Sequence, residues 1–205
     1  MDSIMDIAKE FNLKVIEDAA QAPGIKYKGK PIGSIGDIGG FSLNFHKHIH
    51  CGEGGMIVTN DKNLADKCRE MTWFGVSSTW SRVQGTSGMP GYAWDYQVNF
   101  LGYKYYMIDI LAAIGLEQMK KLPKNLAFRR YIQKRYNDEL SPEIQRPPHS
   151  ETVQYYVARV SKKHRNSLIN FLATKKIHTS VHFKPLHKYE ILKQRRKYPV
   201  ADLEW

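Results

Sequence analysis

Apolar positions in the first residues recur at helical spacing. Ile4, Ile7, Ala8 and Phe11 share one face, with Asp2 or Ser3 placed to cap, so residues 3–11 predict a helix. Asn12 breaks the pattern. Leu13 to Ile16 then form a short apolar run ending in Glu17 and Asp18, which predicts a turn and a parallel strand buried on both faces. Polar residues at such a strand's C-terminal end draw notice, because ligands of open α/β sheets collect there. The loop from Pro23 to Gly40 holds six glycines and two prolines. Phe41 to Phe45 and Met56 to Thr59 read as strands, and Asn60-Asp61 starts a helix through about Trp73.

Residues 76 to 106, rich in Gly, Ser, Tyr and Trp, show little periodicity, and an excursion of this length is more often functional than ornamental. Met107, Ile110, Leu111, Ile114 and Met119 then mark an amphipathic helix to Leu122. Pro123 is expected to interrupt it before a second helical stretch to about Leu140. Pro142, Pro147 and Pro148 mark a linker. A strand (Val153 to Val160), a helix (His164 to Lys176) and a strand (Thr179 to Phe183) follow, a βαβ pattern that suggests a small C-terminal domain.

Composition changes this picture little. Hydrophobic residues make up 42% and charged residues 25% of the 205, an ordinary soluble balance. No apolar run approaches the roughly 18 residues of a membrane helix, and no signal-type core opens the chain, so it reads as cytoplasmic with no membrane partner. Cys51 and Cys68 form neither metal-ligand spacing nor a disulfide framework. The net charge of +11 gathers late, from Lys120 to Arg135, Lys162 to Arg165 and Lys188 to Lys197. A polyanion partner is one reading. Solvated helix faces and a tail are the other, preferred because no nucleic-acid motif accompanies the charge; no nucleic-acid partner is expected.

Two positions invite chemistry. Asp18 ends an apolar strand, where an Asp commonly caps a helix. It can also pair with a ligand cation such as a pyridinium nitrogen. Lys47 lies among His46, His48 and His50, which would share a face if the segment were a strand. No acidic or cysteine cluster completes a metal site, and none is expected. A lysine near a cationic or desolvated site can instead be partly neutral and nucleophilic.

The block VIEDAAQAPGIKYKGKPIGSIGDIGGFSLNFHKHIHCGEGG resembles the core of the DegT/StrS family of nucleotide-sugar aminotransferases. The shared elements are EDAAQA, the GxxxGxxGDIGGFS stretch, Ser42 five residues before Lys47, and GEGG after it. GYKYYMIDILAAIGLEQMKKL and KKIHTSVHFKPLH resemble later family segments, so the likeness spans nearly the whole chain. It implies an α/β fold. Residues 1–122 would be the C-terminal part of the large, parallel or mixed-sheet cofactor domain of a fold type I aminotransferase. Residues 123–205 would be a connecting helix and an incomplete small C-terminal α/β domain.

The resemblance also implies roles, residue by residue. Lys47 would carry pyridoxal 5'-phosphate and shuttle protons. Asp18 would pair with the pyridine nitrogen, Gln21 would touch the ring or its phenolic oxygen, and Ser42 would bind the phosphate. Lys104 falls where many relatives have an Asn that reaches the neighbouring subunit's phosphate, which implies a homodimer; Lys binds phosphate as a point charge. Asn44, Tyr106 and His182 fall at positions implied to meet the substrate, although Tyr106 replaces a common Arg. The implied reaction moves an amino group from an amino acid, glutamate being the expected donor, to a keto group on a nucleotide-linked deoxysugar. Lys47 argues against the rival dehydratase reading, since those relatives carry His there. The family's N-terminal phosphate turn and ring-stacking aromatic map nowhere on this chain. The expectation is therefore a fragment, poorly stable alone and without turnover; an inactive interaction module is the non-enzyme rival.

Overall fold

Strand β1 (Ile16–Asp18) is where the first unit of the fold takes its register, and a side chain decides where it starts. The strand expected from Leu13 begins only at Ile16 because Asp37 occupies the backbone of Val15. Its Oδ2 accepts from the Val15 N–H at 2.8 Å, and its own N–H donates to the Val15 carbonyl at 2.9 Å. Lys14 completes the contact, with Nζ 2.9 Å from Asp37 Oδ1. That ammonium, and then the Val15 N–H, hold the Asp37 carboxyl below its ordinary range.

The computed structural model describes residues 1–76, 97–146, 151–152, 154–192 and 197–204. The chain forms two compact units: Met1–Asp138 with His149–Tyr156, and Glu139–Pro148 with Val157–Trp205. In the first, helix α1 (Asp2–Glu10) precedes β1, and a small hairpin of β2 (Lys26–Tyr27) and β3 (Lys30–Pro31) precedes β4 (Ile38–Ser42). Strand β5 (Gly55–Val58) follows, giving a sheet of order β1-β4-β5. It is mixed. β1 and β4 run parallel, with Glu17 opposite Gly39 and Asp18 opposite Gly40. β4 and β5 run antiparallel, with Ser42 opposite Gly55.

Burial alternates along β1, as the two-residue period of a strand requires: Ile16 and Asp18 face out and Glu17 faces in. The apolar run is therefore not buried on both faces, and Ile16 is 77% exposed. Glu17, at 6% exposure, is the buried member. Its Oε2 accepts from the Gly33 N–H at 2.8 Å, and its Oε1 accepts from the N–H groups of Ile35 and Gly36, both at 2.6 Å. This carboxylate folds the glycine-rich loop back against the sheet. Gly39 lets the loop come close, since a Cβ there would sit 2.0 Å from the Gly33 carbonyl oxygen.

Helix α2 (Lys62–Thr72) is capped by Asp61, whose Oδ1 accepts from the N–H groups of Asn63 and Leu64 at 2.8 and 3.2 Å. Helix α3 (Asp109–Glu139) runs through Pro123 without the expected interruption, so the domain division expected at residue 122 falls inside a helix. Packing on both sides of the proline offsets its lost hydrogen bond. Leu122 and Leu126 pack with Ala22, Ile25 and Ile32, and Leu122 also joins Leu43, Ile49, Cys51, Met107 and Leu111. Of the apolar side chains on α1, Ala8 is buried, while Ile4, Ile7 and the following Phe11 are all more than half exposed. No helix among the described residues is long and apolar enough to cross a membrane.

The second unit holds helix α4 (Lys162–Thr174), 3-10 turns at Leu186–Lys188 and Glu190–Leu192, and helix α5 (Pro199–Glu204). The strands expected at 153–160 and 179–183 do not form among the described residues; Val153 lies outside them. A strand needs a partner for its backbone groups. Arg159 pairs with Gln145 in an isolated bridge, through reciprocal bonds of 3.0 and 3.1 Å, and Val157, Val181 and Phe183 remain exposed. The irregular excursion expected over 76–106 falls largely on residues 77–96, and the prolines at 147 and 148 on 147–150, outside the described residues.

The Glu17 clamp and the Gly33–Gly39 contact predict two sensitive positions. Gly39→Ala should cost about 2–3 kcal/mol, because the loop must move off its carboxylate. Glu17→Gln should cost about 2–3 kcal/mol, since one amide oxygen cannot serve all three donors. Urea unfolding of the full chain measures both.

Candidate functional site

The C-terminal ends of parallel strands β1 and β4 lie side by side, and the sequence places reactive groups just there. Asp18 closes β1, exposed, with its Oδ1 accepting the Ala20 N–H at 3.1 Å. That bond starts the turn carrying Gln21, which is exposed beyond it. Ser42 closes β4, half-buried, with its Oγ accepting from the Asn44 N–H at 3.4 Å. Lys47 lies five residues further, in a turn closed by its own N–H donating to the Asn44 carbonyl at 2.9 Å.

Asn44 ends the strand that was expected to continue to Phe45. Its Oδ1 accepts from the His46 N–H at 3.1 Å, and its Nδ2 donates to Glu53 Oε1 at 2.7 Å. Both ends of this amide are thus committed to the loop, which bears on its expected substrate role. The half-buried Lys47 side chain makes no salt bridge among the described residues. Beneath the turn, Leu43, Ile49 and Cys51 form an apolar floor that Met107 and Leu111 join.

The three histidines do not share a face, because residues 44–50 form a turn rather than a strand. His46 is exposed, His50 is half-buried, and His48 is 3% exposed. Among the described residues no group of three or more His, Cys, Asp or Glu side chains is arranged to hold a metal. The His48 Nε2 bonds to the Thr152 carbonyl, which fixes the proton on Nε2. Burial lowers the His48 pKa below its ordinary value. The Thr152 carbonyl opposes that, and the charges of Arg129 and Lys47 add to it. Gln154, also buried, donates from Nε2 to the His46 carbonyl at 2.6 Å.

Lys104 and Tyr106 form a separate cluster in the same unit. Lys104 pairs with Trp73 in an isolated bridge, and its Nζ lies 5.9 Å from the centre of the Tyr106 ring. Tyr106 meets Trp73 edge-on at 4.6 Å. Next along, Met107 packs into the floor under Lys47. His182 belongs to the second unit, with Nε2 3.4 Å from Ser180 Oγ and its ring edge-on to Phe183. The structure thus brings Asp18, Ser42, Asn44 and Lys47 to one edge, with Gln21 one turn beyond, and groups Lys104 with Tyr106 around Trp73.

Sequence reasoning missed Glu17, His48 and Gln154. Alternation along β1 was the available signal for Glu17, since adjacent carboxylates on a strand cannot face the same way. Gln154 gives no local signal, because its partner lies more than a hundred residues earlier.

With this geometry in view, comparisons with known proteins give consistent matches. The sequence model of the DegT/DnrJ/EryC1/StrS aminotransferase family matches residues 1–205. The GDP-perosamine synthase of Escherichia coli O157:H7 is 37% identical over 212 residues, covering 100% of this chain and 54% of that protein. The aminotransferase TlmJ from Streptoalloteichus hindustanus superposes with a TM-score of 0.82 at 25% identity, covering 97% of this chain and 53% of the other. The PLP-form of the putative sugar aminotransferase Spr1654 from Streptococcus pneumoniae gives 0.78 at 29% identity, covering 96% and 52%. The chain spans about half the length of the curated relatives it matches.

The buried imidazole predicts an acid sensitivity. His48 is held neutral when folded, so the unfolded chain binds its proton first, and stability falls as pH drops below 6.5. The depressed carboxylates Asp2, Asp37, Asp66 and Asp202 act only further down, below their ordinary value of 3.8. Urea midpoints measured from about pH 7.5 to about pH 5 should therefore decline, and His48→Gln should flatten that decline.

Proposed function

Because this chain belongs to the DegT/DnrJ/EryC1/StrS aminotransferase family, we propose that it carries a pyridoxal-phosphate half-site of a sugar aminotransferase. The reaction is transfer of an amino group from an amino acid, glutamate by preference, to the keto group of a nucleotide-linked deoxysugar. The observation that carries the reading is the shared edge of β1 and β4, where Asp18, Ser42 and Lys47 gather. The name of the perosamine synthase, a GDP-sugar enzyme, supports a nucleotide-linked substrate.

The donor set fits the cofactor. A carboxylate, a hydroxyl and an amine that makes no salt bridge among the described residues match, in turn, a pyridinium nitrogen, a phosphate and an aldehyde. Pyridoxal phosphate, when bound, supplies an electron sink for the charge left on the amino-bearing carbon. Asp18 would keep the ring nitrogen protonated, which favours that sink. Ser42 would donate its hydroxyl proton to the phosphate, and Gln21 would contact the ring. Lys47 would hold the cofactor through Nζ, and its amine would take the proton from the substrate α-carbon and return it, as general base and then general acid. Lys104 would serve the phosphate of a neighbouring subunit in a homodimer, as a point charge. Asn44, Tyr106 and His182 would contact the sugar, roles that rest on the family resemblance alone.

Three experiments test this. Borohydride reduction in the presence of pyridoxal phosphate, followed by peptide mapping, should leave a pyridoxyl group on Lys47; a label on another lysine overturns the assignment. Asp18→Asn should keep that label while turnover of the complete enzyme falls by about a hundredfold or more. For the shared site, a mixture of Lys47→Ala and Lys104→Ala proteins should recover activity through one hybrid site, and freely exchanging dimers without recovery would remove Lys104 from it.

A further inference from the structure

Lys47 stands in a turn that its own loop holds in part. Its N–H reaches the Asn44 carbonyl, the Asn44 amide ties His46 and Glu53, and Cys51 closes back on Leu43 at 3.0 Å. Further support comes from far along the chain. On one side of Lys47, the His46 carbonyl accepts from Gln154 Nε2 at 2.6 Å. On the other, the His48 ring donates to the Thr152 carbonyl, and the His48 carbonyl accepts from Asn125 Nδ2 at 3.1 Å. Arg129 in turn donates to the Gln154 carbonyl at 3.2 Å, fixing that segment to α3.

We propose that His48 and Gln154 are positioning residues that brace the Lys47 turn from both sides, His48 against the Thr152 carbonyl and Gln154 against the His46 carbonyl. The proposal rests on the reading of Lys47 as the cofactor-bearing lysine. Two features favour a brace over ordinary core filling. Each residue adjacent to Lys47 is tied, while the Lys47 side chain itself makes no ion pair among the described residues. The arrangement also carries a cost that apolar side chains would avoid. His48 Nδ1 and Gln154 Oε1 are both buried with no hydrogen-bond partner among the described residues. An aliphatic pair could fill the same space without those orphaned atoms, but it could not direct the His46 carbonyl or fix the ring. What the polar pair adds is orientation.

The test compares the full chain with His48→Leu, Gln154→Met and His48→Gln. Amide hydrogen exchange without cofactor should quicken about tenfold over residues 45–51 in the first two, with α1 and α2 unchanged. His48→Gln, which retains a nitrogen donor near the Nε2 position, should restore most of the protection. Reduction with borohydride and pyridoxal phosphate gives the second readout. The share of label on Lys47, relative to other lysines, should fall about threefold or more in His48→Leu and recover in His48→Gln. Unchanged exchange at 45–51, or acceleration extending equally through α1 and α2, overturns the brace. If the unsubstituted chain is not labelled at Lys47 while exchange still responds, the brace stands and the proposed function falls.

Discussion

Three backbone N–H groups meeting one buried carboxylate is the interaction on which the rest of the first unit depends. Glu17 gathers the N–H groups of Gly33, Ile35 and Gly36, a loop too rich in glycine to hold its own shape. A buried carboxylate is costly unless its lone pairs are filled, and here both oxygens are used. With the loop fixed, Asp37 reaches Val15, and β4 enters parallel to β1. Ser42, Asn44 and Lys47 follow in fixed order from the end of β4. The edge that carries the reactive groups is thus set from the opposite face of β1.

Much of this was legible in the sequence. The spacing of Ile4, Ile7 and Phe11 gave the first helix, Asp61 gave a cap, and the polar residues ending an apolar run marked the β1 edge. What failed did so for tertiary reasons. Pro123 breaks an isolated helix, but Leu122 and Leu126 are packed beside it, and local propensity cannot see that. The C-terminal strands were read from a βαβ pattern in the sequence, and a pattern does not supply a pairing partner. In the site, Asp18 and Lys47 stood out because their side-chain types suit the proposed chemistry. Glu17, His48 and Gln154 carry geometry, and their partners lie at sequence distances that no pattern encodes.

The site also separates two kinds of polar residue. Those proposed to touch cofactor stand exposed or half-buried with side-chain capacity to spare. Those that hold them are buried and bonded to backbone carbonyls or N–H groups. Burial first, and then the charges of Arg129 and Lys47, lower the His48 pKa and favour the neutral imidazole beside the lysine. Burial of the imidazole therefore serves the amine's neighbourhood as well as the packing.

The alternation on β1 has one further effect. Glu17 and Asp18 differ by a single methylene, and a strand that slipped by one residue would exchange their faces. Asp18 would then point toward the Gly33–Gly36 amides with a shorter arm, while Glu17 would project from the open edge. Neither is suited to the other's place. The pair therefore works as a proofreading mark within the strand, so that only the alignment that builds the reactive edge also closes the loop behind it.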